Sequence, residues 1–472
     1  MRRRGFLRLA GGGAAVAAQL KVLDFASSLF AGEPKSDEKP LVSVAFMLNT
    51  GGGGWYPSGT PEMRRQMRVD YEAILSEAAK ALDVRLDIMS GGLDAAAYLE
   101  RVQQTKPDGQ ILLALNLHSL ESKAFREVLK NRAGTPTIVY ANVSTNRVSE
   151  LAQVPIEPGV YLGSTHDVNW LKYAMRMLNT LWRFKRLRIL KCPDEGYAEA
   201  FAKAAASDEL RAVADFYTRT AKQIVEPTAA QILEAAKNYI ALRGLIRDGK
   251  YDGVTVHGNI CIGALGHKSQ ANPACLALSR LLDEGIVAAC EHDAGAAKSQ
   301  FLTLSLFDLP GMMGNTSADT VHRWIYVTHC TSATKLEGIH KEYRAPFVLR
   351  DFHNVGGGVA PMVAWPLGTR ATVISSLSSF TAGVVAANTD DVRQPPCGGC
   401  RTTVAFALDG IRDVVAARLA PHPWCVMADV VQPLLAYCQL SGQTRVSDCS
   451  GNSLAASPRV TKDAWGSAMA LA

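Results

Sequence analysis

Carboxylate, imidazole and thiol groups that could do chemistry crowd into one stretch of this 472-residue chain. Between Asn272 and Thr331 stand Glu291, Asp293, Asn315, Asp319 and the run Thr328-His329-Cys330. Glu291 directly follows Val287-Ala288-Ala289-Cys290, an apolar run that reads as a strand. In open α/β sheets ligand groups gather at the carboxyl ends of strands, and Glu291 falls there. His422 lies further on, between prolines, in Ala420-Pro421-His422-Pro423-Trp424. Each residue also has a structural reading. Glu291 is equally a strand-end carboxylate paired with Arg280, and His422 a satisfied histidine beside two prolines. His329, between apolar strand residues, is equally a core histidine with its ring nitrogens bonded to backbone. His353 is singled out only by the glycine-rich stretch Asn354 to Gly358 that follows it.

Two further motifs carry less. Of ten cysteines, Cys275, Cys290, Cys330, Cys425 and Cys438 sit in apolar runs, where cysteine behaves as a small hydrophobe. Only Cys397-Gly398-Gly399-Cys400 has a CxxC spacing. It precedes a strand rather than a strand-to-helix turn, and no second ligand pair stands at zinc spacing. It reads as a local disulfide or as two free thiols. The loop Gly51-Gly52-Gly53-Gly54-Trp55 follows the first strand but lacks both GxGxxG spacing and a Walker lysine, so it argues against nucleotide binding.

The elements that would position these groups alternate in type. Apolar runs at Val42–Leu48, Val84–Ile88, Ile111–Leu115, Thr137–Tyr140 and Val160–Leu162 read as strands, with helical spacing over Tyr71, Ile74, Leu75, Ala78 and Leu82. Trp170–Trp182, Ala229–Ile246 and Pro273–Leu282 read as helices, and Leu187–Leu190, Val254–Val256 and Val287–Ala289 as strands. Strands separated by helix-length segments imply parallel sheets with covered faces. From about residue 309 helical periodicity fades. Short strands take over at Trp324–Val327, Pro346–Leu349, Ala371–Ser375 and Thr403–Leu408. The expected fold is therefore α/β: Rossmann-like α/β/α domains over 40–165 and 166–308, a β-barrel-like domain over 309–440, and a loosely ordered tail over 441–472.

The block from Asn272 to Thr331, with its Pro-Ala-Cys, Asp-Glu-Gly and Cys290-Glu291 segments, resembles the core of the L-fucose and L-arabinose isomerases. Ala420 to Asp429 is similar to that family's later histidine strand. The resemblance spans roughly 41–440 and is most specific around Glu291. It implies three domains, an oligomer with sites at subunit boundaries, and a divalent metal, typically Mn2+, held by a Glu, an Asp 24 residues later and a distant His. Carried over, these are Glu291, Asn315 and His422, with His329 near the place of an extra histidine ligand in arabinose isomerases. Two carboxylates and an imidazole suit a hard-to-borderline cation. The implied reaction moves a proton between C1 and C2 of an open-chain sugar through an ene-diol. Asn315 departs from the pattern, because a carboxamide cannot exchange a proton. Asp293 and Asp319 are the nearby candidates for the missing carboxylate. His353 and Trp55 are the expected sugar contacts. An epimerase or lyase on the same scaffold, or a sugar-binding protein without catalysis, stand as alternatives.

Composition sets the setting. Hydrophobic residues make up 48% and charged residues 20%, the balance of a globular chain long enough for about three domains. Of the net charge of +6, four units lie in the first 31 residues: Arg2, Arg3, Arg4, Arg8 and Lys21 against Asp24. The remainder, at +2, has no basic stripe beyond the short run 183–188, which argues against nucleic acid. Arg3-Arg4-Gly5-Phe6-Leu7-Arg8, a mild apolar stretch to Leu20 and then Leu29-Phe30-Ala31 read as a twin-arginine export signal. That stretch is too short and glycine-rich to span about 30 Å of hydrocarbon, so no stable membrane anchor is expected.

Overall fold

The computed structural model describes residues 38–48, 60–155, 157–390, 400–443 and 445–454. The segment 1–31, the Gly51–Gly54 loop with Trp55, and Cys397 lie outside the described residues. The chain is a mixed α/β structure forming two compact units.

The first unit holds residues up to Lys185 together with 432–445. Its five strands are β1 (Leu41–Met47), β2 (Arg85–Ile88), β3 (Gly109–Ala114), β4 (Thr137–Asn142) and β5 (Val160–Thr165). All pair in parallel, in the order β2-β1-β3-β4-β5. Between them run α1 (Pro61–Leu82), α2 (Ala95–Thr105), α3 (Lys123–Lys130) and the single turn α4 (Val148–Leu151). The Thr60 hydroxyl caps α1 by accepting from the Met63 N–H, and Pro61 sits in the first turn, where no donor is needed. One face of the sheet packs Ala45, Leu112 and Val139 against Tyr98, Phe125 and Val128 from the helices. α5 (Trp170–Phe184) belongs to this unit, and the Trp170 indole stacks 5.8 Å from the Tyr140 ring. The first unit therefore runs about twenty residues past the sequence boundary at 165. The helix Val431–Leu440 also belongs here, with the Gln439 amide donating to the Val160 carbonyl at 2.8 Å.

The second unit holds 186–431 and 446–453. Its chain order is β6 (Ile189–Cys192), α6 (Tyr197–Ala204), α7 (Glu209–Thr220), β7 (Gln223–Ile224), α8 (Ala229–Asp248), β8 (Gly253–Val256), α9 (Cys275–Asp283), β9 (Val287–Cys290) and α10 (Ala294–Phe307). Strands β6-β8-β9 form a parallel sheet. The β-rich part follows: β10 (Gly311–Met313), β11 (Asn315–Asp319), β12 (Trp324–His329), β13 (Phe347–Arg350), β14 (Ala360–Val363), β15 (Arg370–Ser376), β16 (Ser379–Ala387), β17 (Thr402–Leu408) and β18 (Trp424–Val426). Seven of these make an antiparallel sheet, β10-β18-β15-β16-β17-β12-β11, curled into half a barrel.

The α/β and β-rich parts share one compact unit, although the sequence texture suggests a break near 309. β13 pairs in parallel with β7 from the helical part, Val348 opposite Gln223. The buried Asp283 carboxylate, at the end of α9, accepts from the Thr334 and Lys335 N–H groups and from Arg344. Residues 446–453 are also part of this unit, unlike the loose tail expected from their composition. Ser447 bridges Ser379, and the Cys449 N–H donates to the Thr381 hydroxyl at 2.7 Å. Among the described residues no helix is long and apolar enough to cross a membrane.

Candidate metal centre

Three segments of the second unit deliver side chains to one place. The first is the end of β9. There Glu291 and His292 both have left-handed backbone, with φ of 56° and 54°. For residues other than glycine this costs about 1–3 kcal/mol each and persists only where the surroundings impose it. The imposing contacts are His292 N–H to the Val256 carbonyl and Asp293 N–H to the Cys290 carbonyl. Asp293 then caps α10, accepting from the Ala296 N–H at 2.8 Å. The abrupt turn throws the Glu291 side chain off the sheet end.

The second segment is the end of β12. His329 is its last residue and stands opposite Thr402 of β17. The third is the approach to β18, which lies between β10 and β15. Gly311 makes that seat possible, because a Cβ there would lie 1.8 Å from the Cys425 carbonyl oxygen. Trp424, fully buried, fixes the strand by donating to the Thr303 hydroxyl of α10 at 2.9 Å. His422 stands two residues earlier, between two prolines whose fixed φ limits the path of the chain.

The result is a carboxylate between two buried imidazoles. His329 Nε2 lies 3.6 Å from Glu291 Oε1, and His422 Nε2 lies 3.4 Å from Glu291 Oε2. Neither Nε2 has a hydrogen-bond partner, although both atoms are buried. A buried ring nitrogen without a partner is costly, and two of them aimed at one carboxylate suit a shared cation. The opposite ring nitrogens are held. His422 Nδ1 lies 2.9 Å from Asp293 Oδ2, a carboxylate that fixes Nδ1 as the protonated atom and leaves Nε2 bare for a metal. His329 Nδ1 accepts from the Thr331 N–H at 3.3 Å and lies 2.8 Å from the Thr331 hydroxyl, which holds the ring in place. The donor set of Glu291, His329 and His422 could therefore hold a metal ion.

Charge in the metal-free cluster follows the same contacts. His329 and His422 hold the Glu291 carboxyl well below the usual range. His422 likewise lowers Asp293. Burial opposes protonation of His422, but its bond to Asp293 and the nearby Glu291 carboxylate outweigh that and push it up to about 9.

A cavity of about 490 Å³ opens beside this cluster. Glu291, His329, Asn315 and His353 line it together with Cys261, Cys275, Cys290, Cys330 and Cys400. Its volume is that of a small-molecule site. Asn315, opposite Thr328 on β11, reaches the wall, so the carboxamide stands at the cavity where the resemblance implies an Asp. The other candidates for that carboxylate are elsewhere. Asp293 lies behind His422 and is not on the wall, and Asp319 is bonded to His322. Arg280 pairs with Glu284 rather than with Glu291. Among the described lining residues Glu291 is the sole carboxylate. The sequence marks Cys275, Cys290 and Cys330 as core residues and Cys400 as half of a CxxC pair, yet with Cys261 they make five cysteines on this one cavity. No local spacing signals that, since they arrive from five separate segments.

Another grouping, His118, Glu121 and Glu150, lies in the first unit. The Glu150 carboxylate is already engaged there, accepting from the Arg147 N–H and the Ser149 hydroxyl. Compared with family models and with curated proteins, the chain matches none.

Proposed function

We propose that this protein is a metal-dependent enzyme that isomerises a small sugar or sugar derivative between aldose and ketose through an ene-diol. The observation that carries this is the meeting of the Glu291 carboxylate with the two buried, unpartnered Nε2 atoms of His329 and His422 beside a cavity of small-molecule size. One oxygen and two nitrogen donors suit a borderline divalent cation, and Mn2+ is the ion we propose. When bound it would polarise the sugar's carbonyl and adjacent hydroxyl oxygens. Glu291 is the carboxylate placed to take and return a proton, and Asn315 can hold a hydroxyl through its amide. His353 and Trp55 are further proposed sugar contacts. Asp293 orients His422 and needs no contact with the substrate.

The strand order β2-β1-β3-β4-β5 supports a Rossmann-like first domain, since doubly wound sheets use it. The parallel trio β6-β8-β9 supports a second, and the curled antiparallel sheet a barrel-like third. The reading also takes the chain as exported by the twin-arginine route and assembled as a homo-oligomer.

Asn315 favours a second reading, an epimerase or lyase with different proton chemistry. The test is to incubate the Mn2+-loaded full-length protein with pentoses and hexoses in D2O. Ketose carrying deuterium at C1 is expected, its formation weak on unmodified L-fucose and L-arabinose, and absent from Glu291→Gln. Asn315→Asp should raise the rate, since acid–base assistance is worth ~10²–10⁴. Exchange without ketose supports the second reading. Metal-loaded protein that exchanges no sugar proton would sink both.

A further inference from the structure

The same cavity carries a second donor cluster of different chemistry. Cys330, His353 and Cys400 offer two sulfurs and a ring nitrogen, all within 4.8 Å of one another. Cys400 Sγ lies 3.2 Å from His353 Nε2. Cys330 directly follows His329 at the end of β12, and Cys400 precedes β17. The antiparallel register, His329 opposite Thr402, brings these two chain ends together.

His353 comes from a turn that is held from several sides. The Arg401 guanidinium bonds the Asp351 carboxylate and donates from Nε to the Asp351 carbonyl at 2.7 Å. The Gly356 N–H donates to Asp351 Oδ2, and the Phe352 N–H to the Gly357 carbonyl. Within the turn His353 and Asn354 both have left-handed backbone, φ of 52° and 58°. As at Glu291, two adjacent strained residues present a ligand-type side chain to the cavity.

Thiols buried among Ala264, Phe352 and Ala360 are small apolar residues on the bland account. A thiol–imidazole hydrogen bond accounts for Cys400 beside His353, but not for the second sulfur, of Cys330, gathered with them. We propose that Cys330, His353 and Cys400 bind a zinc ion whose fourth coordination position opens to the cavity. Two sulfurs and a nitrogen form a thiophilic set, unlike the oxygen-and-imidazole set at Glu291. Three protein ligands with one position left open is the arrangement of catalytic rather than structural zinc. Both thiols bind as thiolates, so their protons pass to solvent and the ion's charge is neutralised. His329 and Cys330, neighbours in the chain, then serve one set each. The zinc set shares no ligand with the Glu291 set; His353, proposed above as a sugar contact, is the one residue it takes from the isomerase reading, which does not depend on that contact.

The experiment uses the reduced full-length protein loaded with Co2+, whose bonds to thiolate sulfur give a charge-transfer absorption that carboxylate and imidazole ligands do not. The band should be present in the native protein, persist in Glu291→Ala and vanish in Cys400→Ser. Because a cysteine change in the core risks misfolding, His353→Asn is the second variant, since asparagine tolerates left-handed backbone. Its zinc affinity, measured by competition with a coloured chelator, should fall at least tenfold. Cobalt uptake without a thiolate band, no uptake at all, or native zinc affinity in His353→Asn would each overturn the proposal.

Discussion

At the residue scale the site depends on which ring nitrogen carries a proton. Asp293 does two jobs: one oxygen caps α10 and the other holds His422 Nδ1. Asp293→Asn separates them. Asparagine caps a helix about as well as aspartate, so stability should change little. Its carboxamide fixes the imidazole less firmly, and loss of such outer partners typically weakens metal binding about 10–100-fold. Titration with Mn2+ beside a melting curve reads both effects, and unchanged affinity would show that Asp293 is only a cap. The pH response follows from His422, raised to about 9 in the metal-free protein. A group whose folded-state pKa lies above its unfolded value, near 6.5, stabilises fully below that value. The contribution is lost as pH rises through about 9. Urea midpoints in chelator should therefore fall between pH 6 and pH 9.5, and His422→Gln should remove that part of the slope. An equal slope in both proteins would place the titration elsewhere, for instance on the buried thiols.

At the element scale three segment ends make the centre, and each is set by pairing far from the ligand. β18 is three residues long, yet it positions His422 because β10 and β15 hold it on both sides. Gly311→Ala would press a methyl group on the Cys425 carbonyl and push β18 away. Overpacking of this kind costs about 1–3 kcal/mol. The expected variant folds with a lower urea midpoint and weakened Mn2+ binding, although Gly311 touches no ligand. Native metal affinity in a folded Gly311→Ala would mean that His422 is placed by its flanking prolines alone. The same reasoning explains what the sequence could show. β1, β3, β4, β8, β9, β12 and β17 were legible because each is an apolar run bounded by turn residues. β10 and β18, at three residues each, are too short for a period. α6 lies in a charged, alanine-rich stretch where no apolar stripe stands out, whereas α7 carries one, Leu210, Val213, Ala214 and Tyr217 at helical spacing, that the sequence reading passes over. Glu291 was legible from its strand end. The Cys330–His353–Cys400 cluster was not, because its members are brought together only by register and by the turn after Asp351.

At the scale of the whole molecule, the cofactor chemistry and the proposed route of export bear on each other. Both donor sets are built from segments far apart in the chain, from Glu291 to His422 and from Cys330 to Cys400, so neither exists before the second unit folds. Metal binding of this kind is coupled to folding. Two sets with different donor preferences are best filled where the metal supply is controlled, before the protein meets an external mixture in which affinity order alone would decide. The twin-arginine route carries folded proteins, and Arg3-Arg4 with the mild apolar stretch after it is the feature that suggests this route. A fusion of residues 1–31 to a folded reporter should cross the membrane. Arg3→Lys with Arg4→Lys should stop it, because the receptor reads the pair of guanidinium groups rather than the charge alone. In full-length protein the double change should leave metal-loaded material inside the cell, with Mn2+ and zinc content equal to that of the exported form. Export that survives the double change excludes the pathway. Exported protein that gains its metals only outside would separate cofactor loading from transport, and the order argued here would be reversed.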